Sequence, residues 1–477
     1  MIPNNAFVHR FSTFNQKYLY DVNKDTIIGI SDDEYDFFGK NKEFNLLKED
    51  DQNHLSVLEE KGYFSNKRVK ELKHTMSDEV EKLLYNQAQR LTLQVTQACN
   101  LVCEYCPYAN VTEHSLQRNH SKKKMTWEIA KKAIDSYYEY SKDEDHALFG
   151  FYGGEPLLAF DLIKKCVEYI KEEFFGKNII FSMTTNGTVF TDEMLEFLVE
   201  NRFSLTFSID GPKEIHDLHR KKADGSGSFD NVISSLKKII DAVDEDIVVE
   251  VNMVFYPDRK IDEIFKLFDD PVFERKNIKI SYSLAEDDLL EKKIEVKEDY
   301  HSTFLYQLFL CYLSELNIVD NIKISPALKA TALTLKNEYE RFKAKTDKLP
   351  DMAVPSGPCV PGKQRLFVSA EGNYYPCEKV SELSECMKIG SVDEGYDIEK
   401  IRNLMNFSSI TENLCRNCYA FLHCDICAMY ADDNGVLSAE KKKAFCEIAK
   451  STFDQNLKAA VLIREYKNTY SRMEALK

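Results

Sequence analysis

Residues 96–106 read Thr-Gln-Ala-Cys-Asn-Leu-Val-Cys-Glu-Tyr-Cys and place three thiols, Cys99, Cys103 and Cys106, in one short loop. The spacing is Cys-x3-Cys-x2-Cys, and it follows the strand-like run Leu91–Val95. Three thiolates from one loop can hold three irons of a cubane cluster and leave the fourth iron open for a small molecule. A zinc site is the alternative, although structural zinc normally has a fourth protein ligand.

Strand-like and helical runs alternate downstream of this loop. The strands are predicted at 91–95, 147–152, 179–184, 205–209, 248–255 and 278–282, and the helices at 126–141, 159–174, 191–200, 229–243, 258–268 and 299–317. This alternation predicts right-handed β-α-β units and a parallel sheet. Six such units can form an incomplete barrel, and an open doubly wound sheet is the alternative. In both, the carboxyl ends of the strands carry the functional site.

Three further motifs occur at predicted strand ends. They are Gly153-Gly154-Glu155-Pro156, Thr184-Thr185-Asn186-Gly187, and Ser208-Ile209-Asp210-Gly211 with Arg220 nine residues beyond. Paired glycines let a backbone approach a ligand closely, and an arginine can bind a carboxylate with two hydrogen bonds. Together with the cysteine loop, these motifs resemble the radical S-adenosylmethionine (SAM) superfamily.

The resemblance implies a [4Fe–4S] cluster on Cys99, Cys103 and Cys106 that binds SAM and cleaves it to a 5′-deoxyadenosyl radical. It implies an α/β fold with a partial (β/α)6 barrel. It also implies contacts to each part of SAM: Gly153, Gly154 and Glu155 for the amino group, Thr185 and Asn186 for the ribose, Ser208 and Arg220 for the carboxylate, and Tyr105 for the adenine. No general acid or base can be singled out.

The remaining cysteines are unevenly distributed. Of 13 in the chain, eight lie between residues 359 and 446, and only Cys166 and Cys311 stand apart from both groups. Those two lie in apolar helical patterns, and we expect them to be buried as small hydrophobic residues. Clustered cysteines in a reducing compartment indicate metal binding or catalysis rather than disulfides.

The downstream spacing is Cys359-x12-Gly-x4-Cys377, then Cys415-x2-Cys418-x5-Cys424-x2-Cys427-x18-Cys446. It resembles the SPASM domain of radical SAM maturases, with one residue fewer than usual before Cys427. The resemblance implies two auxiliary [4Fe–4S] clusters. One would be bound by Cys415, Cys418, Cys424 and Cys446. The other would be bound by Cys359, Cys377 and Cys427, with its fourth position open or taken by Cys386. A zinc ribbon is the alternative.

The chain begins with predicted strands at 7–11, 18–22 and 27–30, followed by helices near 32–38 and 55–61. This pattern resembles the small winged-helix domain that recognises leader peptides, and a structural cap is the alternative. The predicted divisions are a winged-helix-like recognition domain at 1–85, a barrel at 86–320, a connector at 321–358, a SPASM domain at 359–450 and a C-terminal helix at 451–477.

This domain order is similar to that of maturases that install thioether bridges in ribosomally made peptides. The resemblance implies a cysteine-containing precursor peptide with a leader as partner, and an external electron donor of the flavodoxin or ferredoxin type. Carbon–carbon crosslinking and formylglycine formation are alternatives within the superfamily. A non-catalytic iron–sulfur electron carrier or redox sensor is the alternative from another class, although such a protein needs no SAM pocket.

The composition of the chain indicates which classes of partner to exclude. The chain is 43% hydrophobic and 30% charged, as is usual for a globular protein, and its net charge of −16 argues against general nucleic-acid binding. No apolar stretch approaches the roughly 20 residues that span a bilayer. The N-terminus lacks the basic start and apolar run of a secretory signal. We therefore expect a cytoplasmic protein without nucleic-acid or membrane partners.

Overall fold

The first part of the chain forms a three-stranded antiparallel sheet followed by two helices. These elements are β1 (Val8–Ser12), β2 (Lys17–Asp21), β3 (Thr26–Ile30), α1 (Asp32–Lys40) and α2 (Glu49–Glu60). Helix α1 begins with a reciprocal cap, because Ser31 N donates to Glu34 Oε2 (2.7 Å) and Glu34 N donates to Ser31 Oγ (3.1 Å). All five predicted elements are present, and α2 begins six residues earlier than expected.

The structure is a computed structural model that describes residues 2–3, 5–40, 43–106, 121–285, 295–315, 318–319, 324–342, 349–355 and 357–474. In these ranges, no helix combines the length and the apolar character needed to cross a membrane.

Six parallel strands follow in chain order and form the centre of the molecule. They are β4 (Arg90–Thr96), β5 (His146–Gly153), β6 (Asn178–Thr185), β7 (Ser204–Ser208), β8 (Val249–Phe255) and β9 (Ile278–Leu284). Each pairs in parallel with its sequence neighbour, and β4 and β9 do not pair with each other in the described part of the chain. The prediction of an open (β/α)6 core is confirmed.

Helices precede, connect and follow these strands, and the last of them lie in the C-terminal part. They are α3 (Val80–Leu84), α4 (Trp127–Tyr140), α5 (Phe160–Glu173), α6 (Asp192–Glu200), α7 (Lys213–His219), α8 (Phe229–Ala242), α9 (Ile261–Phe265), α10 (Glu298–Glu315), α11 (Pro326–Arg341), α12 (Ile398–Met405), α13 (Glu412–Arg416) and α14 (Ala439–Glu474). Cys166 on α5 and Cys311 on α10 are fully buried in the hydrophobic core, as predicted.

The C-terminal part continues the central sheet. Its strands are β10 (Leu366–Val368), β11 (Asn373–Tyr375), β12 (Gly390–Ser391) and β13 (Gly395–Tyr396), and a separate hairpin contains β14 (Asp432–Asp433) and β15 (Val436–Leu437). Strand β10 pairs in parallel with β4, and the next three strands pair antiparallel. The cysteine-dense segment is therefore joined to the first core strand by backbone hydrogen bonds.

Two expectations about the C-terminal half need correction. The segment 321–358, expected to be a connector, contains helix α11, which starts with Pro326 at its first position where the missing amide hydrogen costs nothing. The last helix starts at Ala439 rather than near residue 447, so the boundary expected at 450/451 falls inside α14. Both helices are stabilised by packing against each other, which local sequence does not reveal.

A close backbone approach joins β5 to the loop after β4. Gly154 N donates to Thr96 O (3.0 Å), and Glu155 N donates to Ala98 O (2.9 Å). Gly153 adopts φ 143°, and a Cβ placed there would lie 1.9 Å from Thr96 O. Only glycine fits at such a contact, so the Gly-Gly pair fixes the spacing between two neighbouring strand ends.

We expect Gly154→Ala to lower the free energy of unfolding by about 1–3 kcal/mol, the usual cost of overpacking. A Cβ at this position would lie 2.3 Å from the backbone oxygen of Ala98, and backbone cannot yield as a flexible side chain can. Urea unfolding measures the difference. Gly29→Ala is the control, because the one atom that its Cβ would crowd is Gln16 Nε2, at 2.6 Å, the far end of a flexible side chain. Equal unfolding midpoints for the two variants would contradict the expectation.

Candidate active site and cysteine centres

The loop carrying Cys99, Cys103 and Cys106 lies at the carboxyl end of β4 and is held by the segment after α7. Val102 N donates to Lys221 O (2.8 Å), and Glu104 N donates to His219 O (3.0 Å). Within the loop, Cys106 N donates to Cys103 O (3.2 Å). The three predicted ligands therefore share one anchored loop at the edge of the sheet where the other motifs end.

Burial makes the thiols of Cys99 and Cys103 hard to ionise without a metal. It raises the pKa of Cys99 to about 11 and also raises that of Cys103, which the guanidinium of Arg220 partly opposes. Arg220 Nη1 lies 4.0 Å from Cys103 Sγ. Iron binds thiolates and so offsets this cost. Three thiols on one loop, without a fourth cysteine in the motif, suit a cubane cluster with one open iron.

The carboxylate of Glu155 joins the ends of β5 and β6. It is fully buried, and it accepts hydrogen bonds from Leu157 N (3.1 Å), Thr185 Oγ1 (2.9 Å) and Asn186 N (2.7 Å). Burial raises its pKa to about 7 even though these donors act in the opposite direction. Both oxygens accept hydrogen bonds from protein groups, so Glu155 orders two predicted SAM-binding loops, and its own contact with SAM stays a prediction.

Asn186 extends this contact to the cysteine loop. Its Nδ2 donates to Asn100 Oδ1 (2.9 Å) and lies 3.7 Å from Cys99 Sγ. Thr188 Oγ1 in turn accepts a hydrogen bond from Asn100 Nδ2 (2.7 Å). The motif ending β6 therefore lies directly against the cysteine loop, as its predicted role near the ribose requires.

Asp210 is a residue of the site that the sequence analysis missed. It is buried, and its Oδ2 accepts hydrogen bonds from Arg220 Nε (2.8 Å) and from the hydroxyl of Tyr105, while its Oδ1 accepts one from Val254 N (3.0 Å). Burial acts to lower the pKa of Arg220, but Asp210 more than compensates, and the pKa is raised. The sequence feature that could have identified Asp210 is its acidic side chain two positions after Ser208, at the end of the same strand.

The Asp210 contact defines what Arg220 can do. Arg220 Nε is hydrogen-bonded to Asp210, so the Nη groups, which lie beside Cys103, are the ones left to bind a ligand carboxylate. The ring of Tyr105 lies 5.5 Å from the guanidinium carbon. Ser208 is the buried last residue of β7, on the same strand end as Asp210. The predicted SAM contacts Tyr105, Gly153, Gly154, Thr185, Asn186, Ser208 and Arg220 thus lie on the loops around Cys99–Cys106.

The downstream cysteines fall into two sets by their electrostatic contacts. One set contains Cys359, Cys377 and Cys427, and the other contains Cys415, Cys418, Cys424 and Cys446. The four thiols of the second set line a common cavity of about 550 Å³. The thiols thus group as the SPASM resemblance implies, despite the shorter spacing before Cys427, and their role as cluster ligands stays a prediction.

Cys386 lies outside both sets. Its Sγ is 3.4 Å from Ser384 Oγ and 3.5 Å from Asp432 Oδ1.

Among the described residues, no three His, Cys, Asp or Glu side chains converge on a single metal-ion position. A cubane differs from a single zinc ion in that its thiolate ligands bind separate irons, so they come from a wider neighbourhood. The thiol chemistry of both sets fits an iron–sulfur cluster.

Comparisons with known proteins agree with this geometry. The profile of the Radical SAM superfamily matches residues 93–270. A cysteine-type anaerobic sulfatase-maturating enzyme of Clostridium novyi is 25% identical over 370 residues, covering 75% of this chain and 92% of that protein. The radical SAM cyclopropyl synthase TigE of Paramaledivibacter caminithermalis is 31% identical over 157 residues, 32% of each chain.

A solved structure shows the same fold. Native anSMEcpe with bound AdoMet superposes with a TM-score of 0.57 at 20% identity, covering 78% of this chain and 99% of that one. The matched profile spans the strands whose ends carry the cysteine loop, the paired glycines and the Asp210–Arg220 pair. Together, the open parallel core, its cysteine loop and these matches identify residues 93–270 as a radical SAM domain.

Proposed function

We propose that the chain is a peptide maturase that joins a cysteine sulfur of a ribosomally made precursor to a carbon of another residue, forming a thioether. The proposal is supported chiefly by the set Cys359, Cys377 and Cys427, which has three thiols, while Cys386 contacts Ser384 and Asp432 instead. Three protein thiolates would leave one iron of that auxiliary cluster for the thiolate of a substrate cysteine.

The residues around the first loop have separable tasks. When bound, the cluster and SAM supply one-electron reductive cleavage of the sulfonium, which yields a radical able to take a hydrogen atom from a C–H bond. Asp210 holds Arg220 so that its Nη groups can receive the SAM carboxylate. Glu155 and Asn186 hold the β6 loop against the cysteine loop. The half-buried ring of Tyr105, next to the Arg220 guanidinium, shields this side of the pocket from water.

The overall reaction balances with SAM as the two-electron oxidant of the peptide. One SAM cation, one peptide thiol and one C–H bond become methionine, 5′-deoxyadenosine, a thioether and a proton. The electron that starts each turnover, from a flavodoxin- or ferredoxin-type donor, is released again when the carbon–sulfur bond forms. The expected stoichiometry is one 5′-deoxyadenosine for each crosslink.

The N-terminal sheet supports a peptide substrate. Strand β3 pairs with β2 along one side only within the described residues, so its other edge can accept an extended peptide as an added strand. The radical SAM profile begins at residue 93, which leaves these strands outside the domain that binds SAM. We propose that residues 1–85 bind the leader of the precursor, and that the barrel and SPASM domains act on its core.

Formylglycine formation is the second candidate. It is favoured by the cysteine-type sulfatase-maturating relative from Clostridium novyi, of which 92% aligns with this chain. A quarter of this chain lies outside that alignment, which covers 75% of it. The two candidates differ in their products, because a thioether keeps the cysteine sulfur in the peptide whereas formylglycine made from cysteine replaces it by an oxygen.

We expect the anaerobically reconstituted enzyme, given SAM and dithionite, to convert its precursor into a product two hydrogen atoms lighter with fewer free thiols. The substrate to test is a cysteine-rich peptide encoded by a neighbouring reading frame. Mass spectrometry and thiol alkylation measure both changes. Replacement of sulfur by oxygen, with an aldehyde that reacts with hydrazides, would instead support formylglycine formation. The same mass loss with an unchanged thiol count would indicate a carbon–carbon crosslink.

We expect Cys377→Ala to abolish crosslinking while leaving SAM cleavage measurable, because the first cluster has its own three ligands. The formation of 5′-deoxyadenosine and of crosslinked peptide are measured in the same reaction. Cys386→Ala is the matched control, since its thiol contacts Ser384 and Asp432 outside both sets, and it should keep both activities. If Cys386→Ala lost crosslinking as completely as Cys377→Ala, the three-thiol assignment would be wrong.

A further inference from the structure

Lys442 is a buried lysine beside the four-thiol set. It lies in the first turn of α14 with 2% of its surface exposed, and its Nζ is 3.1 Å from Cys415 Sγ and 2.5 Å from Thr411 Oγ1. Cys446, another member of the set, follows four residues later on the same face of the helix. The side chain therefore points into the space that the four thiols share.

The ammonium has no carboxylate partner in the described part of the chain. The nearest aromatic ring, that of Phe407, lies 5.4 Å away. A buried charge without a counter-charge is strongly unfavourable. The opposite charge available at this position is that of the thiolates of Cys415, Cys418, Cys424 and Cys446, once they bind a cluster.

Lys442 also acts on thiols that it does not touch. It lines the same cavity of about 550 Å³ as all four thiols, so its charge also lies close to Cys424 and Cys446. Lys450 faces Cys418 and Cys446 as well, but its ammonium is paired with Glu447 at 2.8 Å. Lys442 is thus the buried cation of this set, and its field is not cancelled by an adjacent acid.

We propose that Lys442 is the counter-charge of the cluster bound by Cys415, Cys418, Cys424 and Cys446, and that it raises the reduction potential of this cluster. One-electron reduction adds a negative charge to a cluster that is already anionic with four thiolates. A fixed positive charge in contact with one ligand sulfur stabilises the reduced state more than the oxidised state. The cluster then accepts an electron from weaker reductants than it otherwise could. The inference rests on the cluster assignment of the proposed function and is independent of the peptide product.

The test is a redox titration of the full-length, reconstituted holoenzyme with dithionite and mediators, followed by electron paramagnetic resonance. We expect Lys442→Met, which keeps the length of the side chain and removes its charge, to lower the equilibrium constant for reduction of one cluster at least tenfold. This change is 59 mV for a one-electron couple. The other clusters should keep their potentials. Lys442→Gln should lower the same potential, because it keeps a hydrogen-bond donor without the charge.

Two controls separate charge from packing. Lys441→Met removes the same charge from the exposed neighbouring position and should leave every potential unchanged. Lys442→Arg keeps the charge and should restore the potential lost in Lys442→Gln. Iron and sulfide contents establish that each variant binds its clusters.

The proposal would be overturned if Lys442→Met and Lys442→Gln kept the wild-type potentials. It would also be overturned if Lys442→Arg lost the cluster's iron together with the two uncharged variants, because Lys442 would then serve packing alone. If a Lys442 variant lost crosslinking but kept every reduction potential, this inference would be contradicted. The proposal that the wild-type product is a thioether would be unaffected. Conversely, the potential shift can be observed even if the peptide product is not a thioether.

Discussion

The two backbone hydrogen bonds from Gly154 and Glu155 to the loop after β4 determine where the rest of the site can lie. They bring the end of β5 against the start of the cysteine loop at a distance that a side chain at either glycine would prevent. Glu155 then reaches the end of β6, and Asp210 and Arg220 close the site from the end of β7. Four parallel strands thus contribute to one pocket because their ends are tied together in sequence order.

Much of this arrangement could be predicted because it depends on local signals. The six core strands, the cysteine loop and the glycine motif each have a spacing that is visible in the chain, and alternation of strands and helices implies that their ends meet. Asp210 could not be assigned in the same way. Its importance comes from Arg220, ten residues away, and from Tyr105 on a different loop, and only the folded chain brings the three together. Lys442 was missed for the same reason, since a lysine within the run Lys441–Lys443 on a charged helix is expected to face solvent.

The N-terminal sheet and the SPASM segment share a core, although they are far apart in sequence. The ring of His9 stacks on Tyr419 with centroids 3.6 Å apart, and Asp25 contacts His423 Nε2 at 2.7 Å. Tyr419 and His423 are the first and last residues between Cys418 and Cys424. The proposed leader-binding sheet is therefore packed against the segment that joins Cys418 and Cys424, two proposed cluster ligands, so a change in one region can reach the other through direct contacts.

The proposed chemistry requires that one iron of the cluster on Cys99, Cys103 and Cys106 is free of protein ligands and binds SAM. This can be measured in the electron paramagnetic resonance spectrum of the anaerobically reconstituted, dithionite-reduced protein with and without SAM. We expect SAM to change the signal of one cluster, and we expect this signal to be absent in Cys103→Ala. A spectrum indifferent to SAM, or zinc bound at residues 99–106, would contradict this expectation.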